Sequence, residues 1–474
     1  MSQTIKVFFL AAEADPFVKV GELGDVAGSL TRALRALSTE DIKLDVRLIL
    51  PYHPVVRADG LKPLGMFSLL RGDSEVQVEA FETSLDGMPV YFITGDPIRA
   101  NGSVYSLDPK LDAEKYAFFS LAVLELPHQI NWFPDIIHAN DWHTALSLYG
   151  LLTRRWEEGA QHVASVITLH NLSFLGPDSS VILDSYGVKL AQTDLPEWAR
   201  VMPLPLGLWA SDSIVAVSPT YSKEILTAEA GCGLNDFLNI RRETLRGILN
   251  GIDVSSFDPA TDPAIGVNYD ARTLEKRSAN KALLQERLDL QVDPEVPLLA
   301  MISSLNIQKG VDLAFSAFKN LRRLEYQGVI LGIGDPKLEA AATKLQELYP
   351  DRIRVVTRYD DGLARQIYAG SDMLLMPSRH EPCGQSQMIA MRYGCIPVVR
   401  STGGLKDTVK QEETGFVFKD ADVKSLGAAI RTAIRAFVNK EEWRKIQLAG
   451  MMEDFSWERS ARQYSELYQA LVKS

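Results

Sequence analysis

At 474 residues, 46% hydrophobic and 23% charged, the chain is too long for a single hydrophobic core and has the composition of a globular protein of two or three domains. A net charge of −11 argues against a general nucleic-acid or anionic-membrane surface, but leaves room for a local basic pocket. The three cysteines, Cys232, Cys383 and Cys395, have no metal-ligand spacing and suit a reducing compartment without structural disulfides.

The first apolar run, Val7 to Ala12, is too short for a membrane span and is followed at once by Glu13 and Asp15. Without a basic leader it reads as a strand rather than a signal peptide, and a cytoplasmic location is expected. Apolar runs predict strands at Val7–Ala11, Val46–Leu50, Val90–Ile93, Asp135–His138, Ala164–Leu169 and Ile214–Val217, with helices over Ala113–Leu126 and Thr144–Trp156. The pattern restarts after Asn250-Gly251. Strands are predicted at Leu298–Ile302, Val329–Ile333, Ile353–Val356, Met373–Met376, Ile396–Val399 and Gly415–Phe418. Helices are predicted over Gly310–Leu324, Lys337–Leu348, Gln385–Tyr393 and Lys424–Val438, with a last one over Ser456–Leu471. Fully apolar strands alternating with helices imply parallel sheets covered on both faces, here in two doubly wound halves dividing near residue 250. Such sheets bind ligands beyond the carboxyl ends of their strands, so two facing domains would form a cleft there.

The informative motifs follow strands. Lys19-Val20-Gly21-Glu22-Leu23-Gly24 precedes a helical run, where glycine amides and a lysine can meet a phosphate, although ordinary glycine loops look the same. Asp141-Trp142-His143 and His170-Asn171 offer polar groups to a sugar. Asp141 and Asn171 are also good helix caps and turn formers, and singly each fits either role. Lys309, in Gln308-Lys309-Gly310, is placed to neutralise a leaving diphosphate or to be a surface lysine. In Ser378-Arg379-His380-Glu381-Pro382-Cys383-Gly384, the turn should set Glu381 beside the following helix N-terminus. The Thr402-Gly403-Gly404 turn could bind phosphate through its amides.

Taken in order, these segments resemble the bacterial glycogen synthases and plant starch synthases, retaining glucosyltransferases of the two-Rossmann GT-B architecture. Pro51-Tyr52, Asn250-Gly251-Ile252-Asp253, Arg392-Tyr393-Gly394, Leu405-Lys406-Asp407-Thr408 and Phe455-Ser456-Trp457 extend the match from residue 6 to about 471. The resemblance implies two Rossmann-like, doubly wound parallel-sheet domains facing across a cleft. Residues 1–249 would be the acceptor-side catalytic domain, 250–455 the donor nucleotide-binding domain, and 456–474 a helix returning to the first. It also implies an ADP-glucose or UDP-glucose donor, an α-1,4-glucan acceptor, and no metal or other cofactor.

Carried over by position, Lys19 and Lys309 would contact the donor's phosphates, and His170 and Asn171 would hold the transferred glucose. Asp141 would lie near the acceptor, Glu381 and Cys383 would line the sugar site, and the amides of Gly403 and Gly404 would approach the diphosphate. Gly21, Asn250 and Thr402 join the donor-binding set, and Glu381, His170 and Lys309 form the catalytic set.

Three positions depart from the family pattern. Glu22 stands for the second glycine of K-x-G-G-L, and Ser304 for the arginine of G-R-L. Losing such a charge against a developing anion costs roughly 2–4 kcal/mol. Arg358 replaces a usual glycine before Tyr359-Asp360, either as a substitute charge or as a solvated surface residue. The expected function is a glucan synthase acting with retention at the non-reducing end. The alternative is a glucan-binding regulatory paralogue, its transferase activity weakened or lost through Glu22 and Ser304.

Overall fold

The computed structural model describes residues 3–37, 42–100, 102–155, 160–321 and 323–473. The chain divides into two compact units, one of residues 1–251 with 457–474 and one of residues 252–456.

The first unit is built on a nine-stranded sheet. Its strands are β1 (Gln3–Leu10), β2 (Ile42–Pro51), β3 (Lys62–Arg71), β4 (Ser74–Leu85), β5 (Met88–Thr94), β6 (Ile136–Asn140), β7 (Ala164–Leu169), β8 (Ser213–Ala216) and β9 (Leu245–Gly247). Their order across the sheet is β3-β4-β5-β2-β1-β6-β7-β8-β9. All pairings are parallel except those of β4 with β3 and β5. The central strands are buried along both faces, which is why they read as continuous apolar runs. The sheet reverses its winding between β1 and β6, and the loops after those two strands therefore diverge and leave a crevice.

The second unit carries six parallel strands, β10 (Leu298–Ile302), β11 (Gln327–Leu331), β12 (Ile353–Val356), β13 (Met373–Met376), β14 (Ile396–Arg400) and β15 (Phe416–Phe418). Their order, β12-β11-β10-β13-β14-β15, places its own switch point between β10 and β13. The two sheets are Rossmann-like, each wound in both directions from its switch point.

The helix Trp457–Lys473 belongs to the first unit, where Trp457, Tyr464, Leu467 and Tyr468 enter the core that also holds Val7, Phe9 and Val26. Tyr468 Oη lies 2.6 Å from His138 Nδ1 on β6. Among the described residues no helix is long and apolar enough to cross a membrane.

All twelve strands expected from apolar runs are present. The helix expected over Thr144–Trp156 occupies Asp141–Thr153, and Trp156 and the terminal Ser474 lie outside the described residues. The hairpin of β3 and β4 was not anticipated. It lies at the sheet edge with β3 largely exposed, so it needs no continuous apolar run. The two-residue turn Asp86-Gly87, both at positive φ (50° and 78°), was the legible signal for the pairing of β4 with β5.

Candidate active site

In each unit the candidate residues follow the carboxyl ends of parallel strands, at the switch point (after β1, β6, β10 and β13) or beside it (after β7 and β14), with Asn250 after β9. In the first unit, the loop after β1 is organised by Glu13, a carboxylate that is buried although it interrupts an alanine-rich run. It accepts the amide of Val20, the amide of Gly21 at 3.0 Å, and the hydroxyl of Tyr105 at 2.8 Å. Gly21, expected in the donor-binding set, has its N–H engaged by this internal carboxylate at the start of the helix Glu22–Ala36. Lys19 turns toward the same helix and pairs with Asp25 at 2.7 Å, both side chains about one-third exposed. Glu22 opens the helix, exposed, where the helix dipole favours a carboxylate.

Across the switch point, β6 ends at Asn140 and the next residue, Asp141, has φ of 53°. A non-glycine residue in that region is strained and persists only where its surroundings hold it. Here they do. Asp141 Oδ1 accepts the amide of His170 at 2.8 Å and the carboxylate also takes that of Asn171, tying the loop after β7 to the end of β6. The His170 ring is held through Nε2, 2.9 Å from Asn140 Oδ1. Asn171 Oδ1 accepts the amide of Ser173 at 3.0 Å, so the turn-forming reading is realised for Asn171, whereas the Asp141 carboxylate bonds the distant loop after β7 and does not cap its own helix.

Burial lowers the His170 pKa to about 3 and keeps the imidazole neutral, and burial raises that of Asp141 to about 7 against the two amide bonds. The folded chain thus keeps the Asp141 proton up to about pH 7, whereas a free aspartate releases it near 3.8. Between those values the folded state binds the extra proton, so stability is lost as pH rises. Replacing Asp141 by Asn removes this dependence. From pH 5 to pH 8 the stability of Asp141→Asn should gain on the parent by about 2–3 kcal/mol, read as the difference in urea midpoints. A difference that stays constant with pH would refute the assignment.

In the second unit, Lys309 and Glu381 meet from the loops after β10 and β13. Lys309 Nζ lies 2.8 Å from both Glu381 oxygens. Glu381 is only 2% exposed, and Ser378 Oγ donates to its Oε2 at 2.9 Å. The carboxylate is thus held by an ammonium and a hydroxyl, not by the amides of the following helix Ser386–Arg392, as its place in the sequence had suggested. Arg379 fastens the two loops together, forking onto Asp312 at 2.7 and 2.8 Å and donating its own amide to Gln308 O at 2.7 Å.

The Thr402-Gly403-Gly404 turn packs directly on the Glu381 loop. Gly404 N, expected to serve a phosphate, donates here to the carbonyls of Glu381 and Pro382, each at 3.2 Å. Cys383 is buried and its carbonyl accepts Gln387 Nε2. Thr402 is buried and does not cap the helix Gly403–Thr408 with its side chain. Asn250, at the end of the first unit, is buried with its Oδ1 lacking a hydrogen-bond partner among the described residues.

The departures have simple local structures. Ser304 is exposed and its Oγ accepts Asn306 Nδ2 at 3.0 Å. Arg358 is 63% exposed and pairs with Asp360 at 2.9 Å, which is the surface reading of that residue. Arg358→Ala should change the KM for a nucleotide sugar by less than about threefold, since exposed pairs contribute about 0–1 kcal/mol. A larger increase would return Arg358 to the binding set.

Glu13, Asn140 and Ser378 were missed in the sequence. Each directly follows, or ends, a strand at a switch point, and that position was the available signal.

Two family models match the chain: Starch synthase catalytic domain over residues 6–240 and Glycosyl transferases group 1 over residues 285–445. These define a glycosyltransferase. The glycogen synthase of Streptococcus sanguinis is 37% identical, covering 99% of this chain and 100% of the relative. That of Thermotoga maritima is 40% identical over 99% of each. The solved catalytic domain of starch synthase IV from Arabidopsis thaliana, bound to ADP and acarbose, superposes with a TM-score of 0.90 at 33% identity, covering 100% of both chains. The chain belongs to the glycogen and starch synthase family of hexosyltransferases.

Proposed function

We propose that the protein transfers glucose from ADP-glucose, with retention of configuration, to the non-reducing end of an α-1,4-glucan. The observation that carries the reading is the ion pair between partly exposed Lys309 and buried Glu381 at the switch point of a doubly wound sheet, in a chain whose full-length relatives are glycogen synthases. ADP is favoured over UDP because the Arabidopsis relative was solved with ADP.

Glucosyl transfer passes through an oxocarbenium-like transition state while negative charge builds on the departing diphosphate. Lys309, kept in place by Glu381, would stand against that charge. Glu381 and Cys383 would line the sugar site, with neutral His170 and its neighbour Asn171 contacting the transferred glucose. Lys19, Asn250 and Thr402 would complete the donor contacts, with Asp141 near the acceptor. Three free cysteines and bacterial relatives favour the cytoplasm.

The test is incorporation of labelled glucose into a glycogen primer, with ADP-glucose and UDP-glucose in parallel. Transfer from ADP-glucose well above that from UDP-glucose is expected. No transfer from either, with glycogen binding retained on co-sedimentation, would overturn the reading.

A further inference from the structure

We propose that Asn140 is a positioning residue that fixes His170 as its Nε2–H tautomer and so presents Nδ1 as a hydrogen-bond acceptor to a hydroxyl of the transferred glucose. The role given to His170 rests on the function proposed above; the tautomer does not.

The argument begins at Leu10, the last residue of β1. Its carbonyl can only accept, so the Asn140 side-chain atom 2.9 Å from it must be the amide nitrogen. That fixes the flip of the Asn140 amide and aims Oδ1 at His170. Oδ1 can only accept, so the ring nitrogen facing it at 2.9 Å, Nε2, must carry the proton. A neutral imidazole has one N–H, so Nδ1 is left as an acceptor, and it has no hydrogen-bond partner among the described residues.

Asn140 itself cannot drift. It is buried, its amide donates to Thr144 Oγ1 at 2.6 Å, and the Thr144 hydroxyl donates to its carbonyl at 2.9 Å. With Asp141 gripping the His170 main chain, two consecutive residues at the end of β6 hold both the backbone and the ring of one histidine on β7's loop. Geometry of this kind, an orienting partner behind a reacting or binding ring, sets which proton a substrate meets. The other titratable groups around His170 are Asp141, His138 and His143.

The experiment uses the full chain with 15N-labelled histidine, the His170 signals being assigned by their loss in His170→Gln. The parent should show the Nε2–H pattern at pH 7.5, and Asn140→Ala should show mixed tautomers with kcat reduced about tenfold or more. Asn140→Asp keeps the shape of the side chain should Ala fail to fold. Its carboxylate would stabilise the imidazolium and move the acid limb of the kcat–pH profile upward by at least one unit. Asn140→Gln should rescue neither readout.

An Nδ1–H pattern in the parent overturns the proposal. So does an unchanged Nε2–H pattern in Asn140→Ala, or an acid limb that does not move in Asn140→Asp. If the parent transfers no glucose, the function reading fails and with it the sugar contact, while the histidine spectra still decide the tautomer.

Discussion

Lys309→Ala is expected to lower kcat by two to three orders of magnitude and to destabilise the second unit by about 3–5 kcal/mol. Both effects come from one geometry. Glu381 is almost fully buried and both of its oxygens lie 2.8 Å from Lys309 Nζ, with the Ser378 hydroxyl their one further hydrogen-bond partner among the described residues. Removing the ammonium leaves a buried carboxylate without its counter-charge, which is costly whatever the catalytic role. Pairing the change with Glu381→Gln separates the two effects. The double variant no longer buries a lone charge, so urea unfolding should show most of the stability recovered. Its glucosyl transfer should stay as low as in Lys309→Ala, because the leaving diphosphate still lacks its cation. A single-variant stability loss below about 1 kcal/mol would show that the pair is not desolvated as the structure has it. Full recovery of activity in the double variant would remove Lys309 from the chemistry.

Gly403→Ala should lower kcat at least a hundredfold and cost about 3 kcal/mol of stability. Gly403 has φ of 43°, and a Cβ there would fall 1.9 Å from the carbonyl oxygen of Glu381. At Gly404 it would fall 2.2 Å from the carbonyl of Cys383. These are main-chain atoms, so the clash can be relieved only by moving the loop that carries Glu381. Alanine keeps the N–H. If the glycine served only to offer an amide to a phosphate, activity would fall little, and an alanine variant within threefold of the parent in kcat and Tm would refute the packing argument. Steady-state kinetics and a thermal melt on the same preparation decide it.

The contrast at this turn shows how much of the site was readable beforehand. A glycine pair after a strand was visible in the chain, and a phosphate-binding turn was a fair expectation from it. The same pair is required by close approach of two backbone segments, Gly403-Gly404 and Glu381–Cys383, that are about twenty residues apart in the chain. Spacing cannot separate these causes, because each needs a residue without a side chain. Lys19 and Gly21 repeat the lesson. The loop was correctly placed after β1, but its partners, Asp25 and Glu13, depend on how the loop folds back on itself.

By itself the sequence determined the two largely parallel sheets, twelve of their fifteen strands and the family, while β3, β4 and the three-residue β9 were not read from it. Strands buried on both faces are mostly apolar, and that demand leaves its mark on Val7–Leu10 of β1, Ile136-Ile137 of β6 and the whole of β10 and β13. Strand order is then limited by short right-handed crossovers, which put the motif-bearing loops at the carboxyl ends. The tertiary structure alone decided the polar partnerships: Glu381 with Lys309 and Ser378, Asp141 with the amide of His170, Asn140 with its ring, and Arg358 with Asp360. Burial of an apolar run is a property of one segment, whereas a hydrogen bond or an ion pair needs two groups brought within about 3 Å from distant parts of the chain. No periodicity within either segment records which partner it will meet.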